Sequence, residues 1–486
     1  MGKQWVGLTA VFLIVLAARL YFAFQTPFYT SDSAYLHERS VENILNGKIL
    51  WHDPLGYSGR AIVASPLFDI ILALFAVISP VALKIIPNIF ASILVIPAYL
   101  IAHRLTKSTT LSLVSALLAS LVPAFFANTF NHLSPLTLAL PLFFFLSYTW
   151  LRGNVITFLA LLLVFVFLSP LSIIFVLSIG VYFALLAIEQ IKPRIAEYEL
   201  GLFSVFFTLW AQFLLYKKLI LFHGPAAVWQ NIPAQLLSAF YSNVTILGAI
   251  AQIGVFPLVD GMYALYKTAF KEPHKDTLML FSIVTVSALT LWLKLVNITT
   301  GFILLGTTLA ILFSKSLLIT HAYLNETKIK KYAWTIIIIF IIFSIVSTGY
   351  PAYIQAKSQL SKTITREEAA SLEMLRRTTP ETATIIAPHS YGNYITAIAQ
   401  RKNIIDTYFF LQPNINERYE DVVRLYKTNF ETEAVELFDK YNATHIIIPH
   451  GTKDISYGDT ACFKRIQATN PIIYEKDESC ELKVVS

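Results

Sequence analysis

Thr26–Ser65, TPFYTSDSAYLHERSVENILNGKILWHDPLGYSGRAIVAS, decides how the rest of the chain is read. It is a polar island directly behind an apolar run, Trp5–Phe24, whose length suits the roughly 30 Å hydrocarbon core of a bilayer. Asp32, His37, Glu38, Arg39, His52, Asp53 and Arg60 all fall inside it, in a chain that is only 14% charged. So dense a group of ionisable residues between stretches of Leu, Ile, Val, Phe and Ala reads as a membrane-surface loop that carries chemistry.

Outward from this loop, composition sets the class. The 486 residues are 56% apolar and include 36 Phe, more than a soluble core needs, so the surplus faces lipid. No small-residue cleavage site follows Phe24, and the first run is expected to remain as a span. The formal charge of +7 sits at span ends and in the tail without a basic stripe, which argues against nucleic acid as a partner. The lipid bilayer is the partner that composition does imply. Neither a G-x-G-x-x-G nor a G-x-x-x-x-G-K loop is present, so nucleotide chemistry is not indicated. The two cysteines, Cys462 and Cys480, lack zinc-site spacing; a disulfide and a pair of free thiols both remain open for them.

Segments long and apolar enough to span are 5–25, 81–102, 111–127, 135–151, 155–168, 170–188, 198–216, 244–266, 277–293, 297–314 and 333–349, about eleven in all. Residues 66–78 are short, open on Pro66 and carry Asp69, and suit an interfacial helix within a first outer loop of 26–80. With the N-terminus inside, cytoplasmic loops then collect thirteen Lys and Arg against seven outside, the expected bias; the C-terminus falls on the extracytoplasmic side of a cell membrane.

Beyond about Pro351 the apolar runs stop, which divides the chain into a multispan domain, 1–350, and a soluble α/β domain, 351–486. In the latter, Thr365–Glu368 has capping-box spacing. Strands are expected at 384–387, 403–405 and 445–449, helices at 391–400, 417–428 and 431–441, and edge strands near 462–465, 472–475 and 481–485.

Asp32, Tyr35, His37 and Arg39, followed by Trp51, Asp53, Pro54 and Tyr57, resemble the first external loop of the archaeal oligosaccharyltransferase catalytic subunit. The tail stretches TIIAPHSYGNYITAIAQRKNIIDTYF and ERYEDVVRLYKTNFETEAVELFDKYNATHIII are similar to the region of that family's Trp-Trp-Asp-Tyr-Gly motif and beyond, and IGVFPLVDGMYALY at 253–266 is a weaker echo. The resemblance implies an α-helical polytopic membrane bundle of the GT-C type followed by a small extracytoplasmic α/β domain. It also implies a polyprenyl- or dolichyl-phosphate-linked sugar donor and a divalent Mg or Mn ion. Two motifs depart from the family. Its D-x-D acids are replaced in AFFANTFNHLSP by Asn131 and His132, and Pro388, His389 and Ser390 stand where Trp-Trp-Asp would be.

Residue by residue, Asp32 is the expected catalytic base; a helix N-cap is the bland alternative. Arg39, Lys294 and Arg19 are candidates for the donor phosphate, against a helix-surface ion pair for Arg39 and snorkelling for Lys294 and Arg19. His37, Asp53 and Arg60 are further first-loop candidates. His389 and Tyr391 are acceptor-side candidates, with a helix-capping Ser390 and a core Tyr391 as the alternative. A remodelled metal site would use Asp32, Asn131 and His132. Asn243, Asn297, Asn325 and Asn442 begin Asn-x-Ser/Thr triplets, Asn442 in the most accessible setting. The expected activity is transfer of a sugar or glycan from the lipid-linked donor to an acceptor on the extracytoplasmic face. A divergent oligosaccharyltransferase for Asn sequons and a non-catalytic glycan-binding paralogue or carrier are the alternatives.

Overall fold

In the computed structural model, residues 2–62, 65–224, 232–241, 244–271 and 273–480 are described; Asn243 and the strand expected at 481–485 lie outside them. The chain is a helical membrane bundle with a small α/β domain, and by its contacts it forms two compact units. One comprises 1–27, 78–215 and 238–361; the other comprises 28–77, 216–237 and 362–486. Grouping by contact therefore differs from grouping by composition. The first loop joins the tail, and the helix that carries Pro351 runs on to Leu360 before the tail begins.

Among the described residues, seven helices are long and apolar enough to cross a membrane, and nine if two bent pairs each count once. The other two of the eleven expected spans are the apolar helices Leu136–Arg152 and Val155–Leu168, of 17 and 14 residues. Both bends have a local cause. Thr109–Ser120 and Pro123–Thr129 meet at 52°, where Pro123 lacks the N–H that would continue the ladder. Ile246–Ile253 and Val255–Thr268 meet at 87° around Gly254, whose φ of +100° suits glycine alone. Ile298–Asn325 is the central helix: 72% of its most apolar stretch is buried, and it packs against Val255–Phe270, Thr109–Ser120 and Lys275–Trp292. Only 17% of the corresponding stretch of Ile195–His223 is buried, leaving the remainder for lipid.

The other unit begins with the helix Asp32–Leu45 and the hairpin β1 (His52–Asp53) and β2 (Arg60–Ala61). The helix Leu67–Ala76 follows and buries Phe68, Asp69 and Leu72 while exposing Leu74. The tail contributes β3 (Thr384–Ile386), β4 (Lys402–Asn403), β5 (Ala443–Ile448), β6 (Phe463–Gln467) and β7 (Ile472–Lys476), ordered β4-β3-β5-β7-β6. Strands β4, β3 and β5 are parallel, whereas β7 and β6 return antiparallel. The capping box is formed: Glu368 N–H donates to Thr365 Oγ1 at 3.1 Å, and Thr365 N–H donates to the Glu368 carboxylate at 2.8 Å.

Cys462 and Cys480 are joined by a disulfide, which settles the choice the sequence left open. Closing this loop constrains the unfolded chain by about 3 kcal/mol. Denatured but unreduced protein is expected to take up no maleimide, and reduced protein two equivalents per chain; labelling before reduction would contradict the bridge.

Candidate functional site

The site is built where the first loop meets the tail sheet within one unit. Leu55 and Tyr57 bracket Gly56 and lie along the free edge of β4: Asn403 N–H donates to Leu55 O at 3.0 Å, and Tyr57 N–H donates to Asn403 O at 2.8 Å. The DPLGYSGR segment thus behaves as an added parallel strand and covers an edge that would otherwise be open. Tyr57 is clamped from the other side by Arg418, which stacks over its ring at 5.1 Å and donates to its carbonyl at 2.9 Å.

Behind this edge lies a buried ion network. Arg39 Nη2 donates to Asp53 Oδ2 at 2.5 Å, and Arg60 Nη2 to the same oxygen at 3.0 Å; Arg60 Nη1 donates to Asp406 Oδ1 at 2.5 Å and to Tyr408 O at 2.8 Å. Burial works to raise the Asp53 pKa, but Arg39 and Arg60 outweigh it and hold the carboxyl below its usual range. Arg39, the expected phosphate clamp, gives its Nη2 to Asp53, and Arg60 lies between Asp53 and Asp406, the counter-charges that buried guanidinium groups need.

Asp32 opens the helix Asp32–Leu45 but does not cap it; Ser31 holds the N-cap position. Its carboxylate caps a different segment. Oδ1 accepts from the backbone N–H groups of Asn393 at 2.8 Å and Tyr394 at 3.2 Å, and Oδ2 accepts from Asn393 Nδ2 at 2.6 Å and Thr407 Oγ1 at 2.7 Å. The segment comes this close because of Gly392: a Cβ there would meet Asp406 Cβ and Ile405 O at 2.4 Å. Burial, with the charge of Asp406 added, pushes the Asp32 carboxyl up to about 7 against the pull of Thr407, Asn393 and Tyr394. It is therefore a carboxyl that exchanges its proton near neutrality, as acid–base work requires.

The remaining first-loop and tail candidates lie around it. His37 Nδ1 is 2.7 Å from Asp69 Oδ1; burial lowers the His37 pKa, but the Asp69 charge and hydrogen bond overcome that and leave it raised. Tyr391 is core, packed on Tyr394 with ring centroids 5.2 Å apart. His389 is half-buried and lines a cavity of about 240 Å³ with Tyr419, Val422 and Lys427; burial lowers its pKa, partly offset by Asp406. Sequence reasoning missed Asn393, Asp406 and Thr407. The available signal was an Asp-Thr pair immediately after Ile404 and Ile405, just past a short parallel strand.

The bundle unit holds the other candidates. Arg19 does not snorkel: it is fully buried, donating from Nε to Asn88 Oδ1 at 3.2 Å and from Nη2 to Thr129 Oγ1 at 2.5 Å, with Phe125 and Phe126 under the guanidinium. Its Nη1 has no partner among the described residues. Lys294 is exposed just beyond the helix Lys275–Trp292, and its neighbours Leu295, Val296 and Asn297 line a cavity of about 630 Å³. Ser134, Pro135, Ser169 and Pro170 line it too, at the starts of the helices Leu136–Arg152 and Leu171–Ile188. The other lining residues, Leu136, Leu171, Ile173, Ile174 and Leu177 among them, are mostly apolar.

Four N–H and O–H donors surround the Asp32 carboxylate, and among the described residues no group of three or more His, Cys, Asp or Glu could hold a metal ion.

Asp32→Ala is expected to orphan three of these four buried donors, since Asn393 Nδ2 keeps Thr407 Oγ1 at 2.9 Å, and to cost about 3 kcal/mol in local stability. Asp32→Asn should cost about 1 kcal/mol, because Asn393 Oδ1, unpartnered among the described residues, can turn to accept from the new amide. Hydrogen exchange at Asn393 and Tyr394 measures both. The charged His37–Asp69 pair is complete below the ordinary histidine value of 6.5 and is lost as pH rises through the raised one. Exchange protection of the helix Leu67–Ala76 should therefore fall with rising pH in wild type and stay flat in His37→Gln.

No family model matches the chain, and no curated protein matches it. Solved structures do. The oligosaccharyltransferase of Archaeoglobus fulgidus in its apo form superposes with a TM-score of 0.66 at 15% identity, covering 91% of this chain and 69% of that one. ArnT from Cupriavidus metallidurans, bound to undecaprenyl phosphate, gives 0.58 at 11% identity over 99% of both chains. The mycobacterial arabinofuranosyltransferase AftD gives 0.57 at 10% identity over 96% of this chain and 40% of its own. The chain has the GT-C fold of these multispan glycosyltransferases.

Proposed function

We propose that the protein is a membrane glycosyltransferase that takes a sugar from a polyprenyl- or dolichyl-phosphate donor and passes it to an acceptor on the extracytoplasmic face. The observation that carries this reading is the end-to-end fold likeness to ArnT, over 99% of both chains; one solved form of that protein is described as bound to undecaprenyl phosphate. Fold likeness alone does not fix an activity, and the chain's own chemistry adds to it. The 630 Å³ cavity offers apolar walls to an isoprenoid, and two helix beginnings, each opened by Ser-Pro-Leu, offer backbone N–H groups to a phosphate. The disulfide and the distribution of Lys and Arg support an extracytoplasmic tail.

Asp32 is the group proposed to act as base. As the bond from the sugar's anomeric carbon to the phosphate oxygen breaks, the phosphate leaves with the electron pair, the acceptor forms the new bond, and its proton passes to Asp32. A carboxyl titrating at about 7 holds and releases that proton near neutrality. Transfer of radiolabelled sugar from lipid-linked donor extracts by the purified full chain tests the proposal. Wild-type activity should rise with pH through about 7 as Asp32 deprotonates, and Asp32→Asn should lose roughly 10²- to 10⁴-fold while remaining folded. EDTA should have no effect. Full transfer by Asp32→Asn would remove Asp32 from the chemistry and leave it as a tie between loop and tail. Label appearing on an Asn-sequon peptide would identify the acceptor as protein.

A further inference from the structure

Four Asn-x-Ser/Thr triplets occur in the chain, at Asn243, Asn297, Asn325 and Asn442, and the transfer reading uses none of them as an acceptor. Asn243 lies outside the described residues, and the other three differ in what their side chains do. Asn297 is occupied: its Oδ1 accepts from Thr299 N–H at 2.8 Å and caps the helix Ile298–Asn325. Asn325 ends that helix just before Lys328, Lys330 and Lys331, on the side that the Lys and Arg bias makes cytoplasmic.

Asn442 differs from both. It is exposed in the turn between the helix Glu431–Lys440 and β5, with φ at +45°. Its N–H donates to Asp439 O at 3.1 Å, but its side-chain amide has no hydrogen bond among the described residues. Gly suits such a left-handed turn at least as well as Asn, so the backbone alone does not account for the amide. Two residues on, Thr444 is half-buried at the start of β5, with its Oγ1 2.8 Å from His445 Nδ1 and 3.5 Å from Thr384 O. An unengaged amide at the surface of a disulfide-closed domain is the setting in which a bulky, solvated glycan can be carried.

We infer that Asn442 is an N-glycosylation site, modified by a sequon-reading transferase of the same membrane from a polyprenyl- or dolichyl-phosphate-linked glycan. In that step Asn442 Nδ2 forms a bond to the anomeric carbon of the first sugar. The bond from that carbon to the phosphate oxygen breaks, the phosphate leaves with the electron pair, and one amide proton passes to the base of the modifying transferase. The inference rests on the extracytoplasmic placement of the tail in the reading above, and not on this chain's own transfer activity.

The test is synthesis of the full chain into microsomes that glycosylate Asn-x-Ser/Thr sites. Amidase release then converts each glycan-bearing Asn to Asp, which peptide mass spectrometry reads. Wild type should carry a glycan at Asn442 and none at Asn325. Asn442→Gly, which suits the positive φ, and Thr444→Val, which keeps a branched strand side chain, should each lose it, whereas Thr444→Ser should keep it. A glycan at Asn325 would place the tail inside and overturn both this inference and the extracytoplasmic acceptor of the proposed function. Asn442 and Asn325 both bare, or a glycan at Asn442 that survives in Thr444→Val, would overturn this inference alone. Sugar transfer by the purified chain is read separately, so its absence beside a glycosylated Asn442 sinks the transferase reading alone.

Discussion

Arg60 carries a full charge at 3% exposure, and a guanidinium withdrawn from water that far is tolerable only with its counter-charges in place. Those counter-charges are Asp53, seven residues back in the same hairpin, and Asp406, which follows the short parallel strand β4. Removing either partner of such a pair costs about 3–5 kcal/mol, mostly because the other charge is left stranded. The pairing is thus less a source of net stability than a lock on register. Once Arg60 lies between the two carboxylates, Gly56 bridges Asn403, the first loop covers the open edge of β4, and Gly392 is pressed against Ile405 and Asp406 too closely for any side chain. Asp32 then meets the amide groups of Asn393 and Tyr394.

This ordering separates the ionisable residues of the loop by task. Arg39, Asp53 and Arg60 hold the loop, and His37 with Asp69 ties the helix Leu67–Ala76 to it. Asp32 is different. It is buried without a cation, beside the like charge of Asp406, and only neutral donors reach it, so its proton is held more tightly than in an ordinary carboxyl and is pushed up to titrate at about 7. Arg19 is its counterpart in the bundle, a buried cation among an amide, a hydroxyl and two aromatic rings. Among the described residues neither group has an oppositely charged partner, so both depart from the rule that buried charge is paired.

The departures from sequence expectation have physical reasons. A hydropathy window measures apolar length and cannot see a break, so 111–127 and 244–266 read as single spans although Pro123 and Gly254 bend them by 52° and 87°. The window also passed 155–168, which forms a helix of 14 residues, too short to cross at 1.5 Å per residue without help from its neighbours. Arg39 looked like a phosphate clamp and Arg19 like a snorkelling cation because residue type and depth were all the sequence supplied; whether a guanidinium already has an acceptor depends on Asp53, Asn88 and Thr129, up to 110 positions away.

By itself the sequence determined the membrane class, the position of nearly every helix, the capping box at Thr365, the places of the tail strands and the first loop as the place where charge collects, because all of these follow from local period, composition and end signals. Tertiary structure alone decided that the loop belongs with the tail, that Cys462 and Cys480 are joined, and that Asp32 meets Asn393 and Thr407 across more than 360 residues. The physical reason is the same throughout. Burial and counter-charge are properties of neighbours in space, and a carboxyl becomes a group titrating near 7 only when folding removes its water and sets another carboxylate beside it.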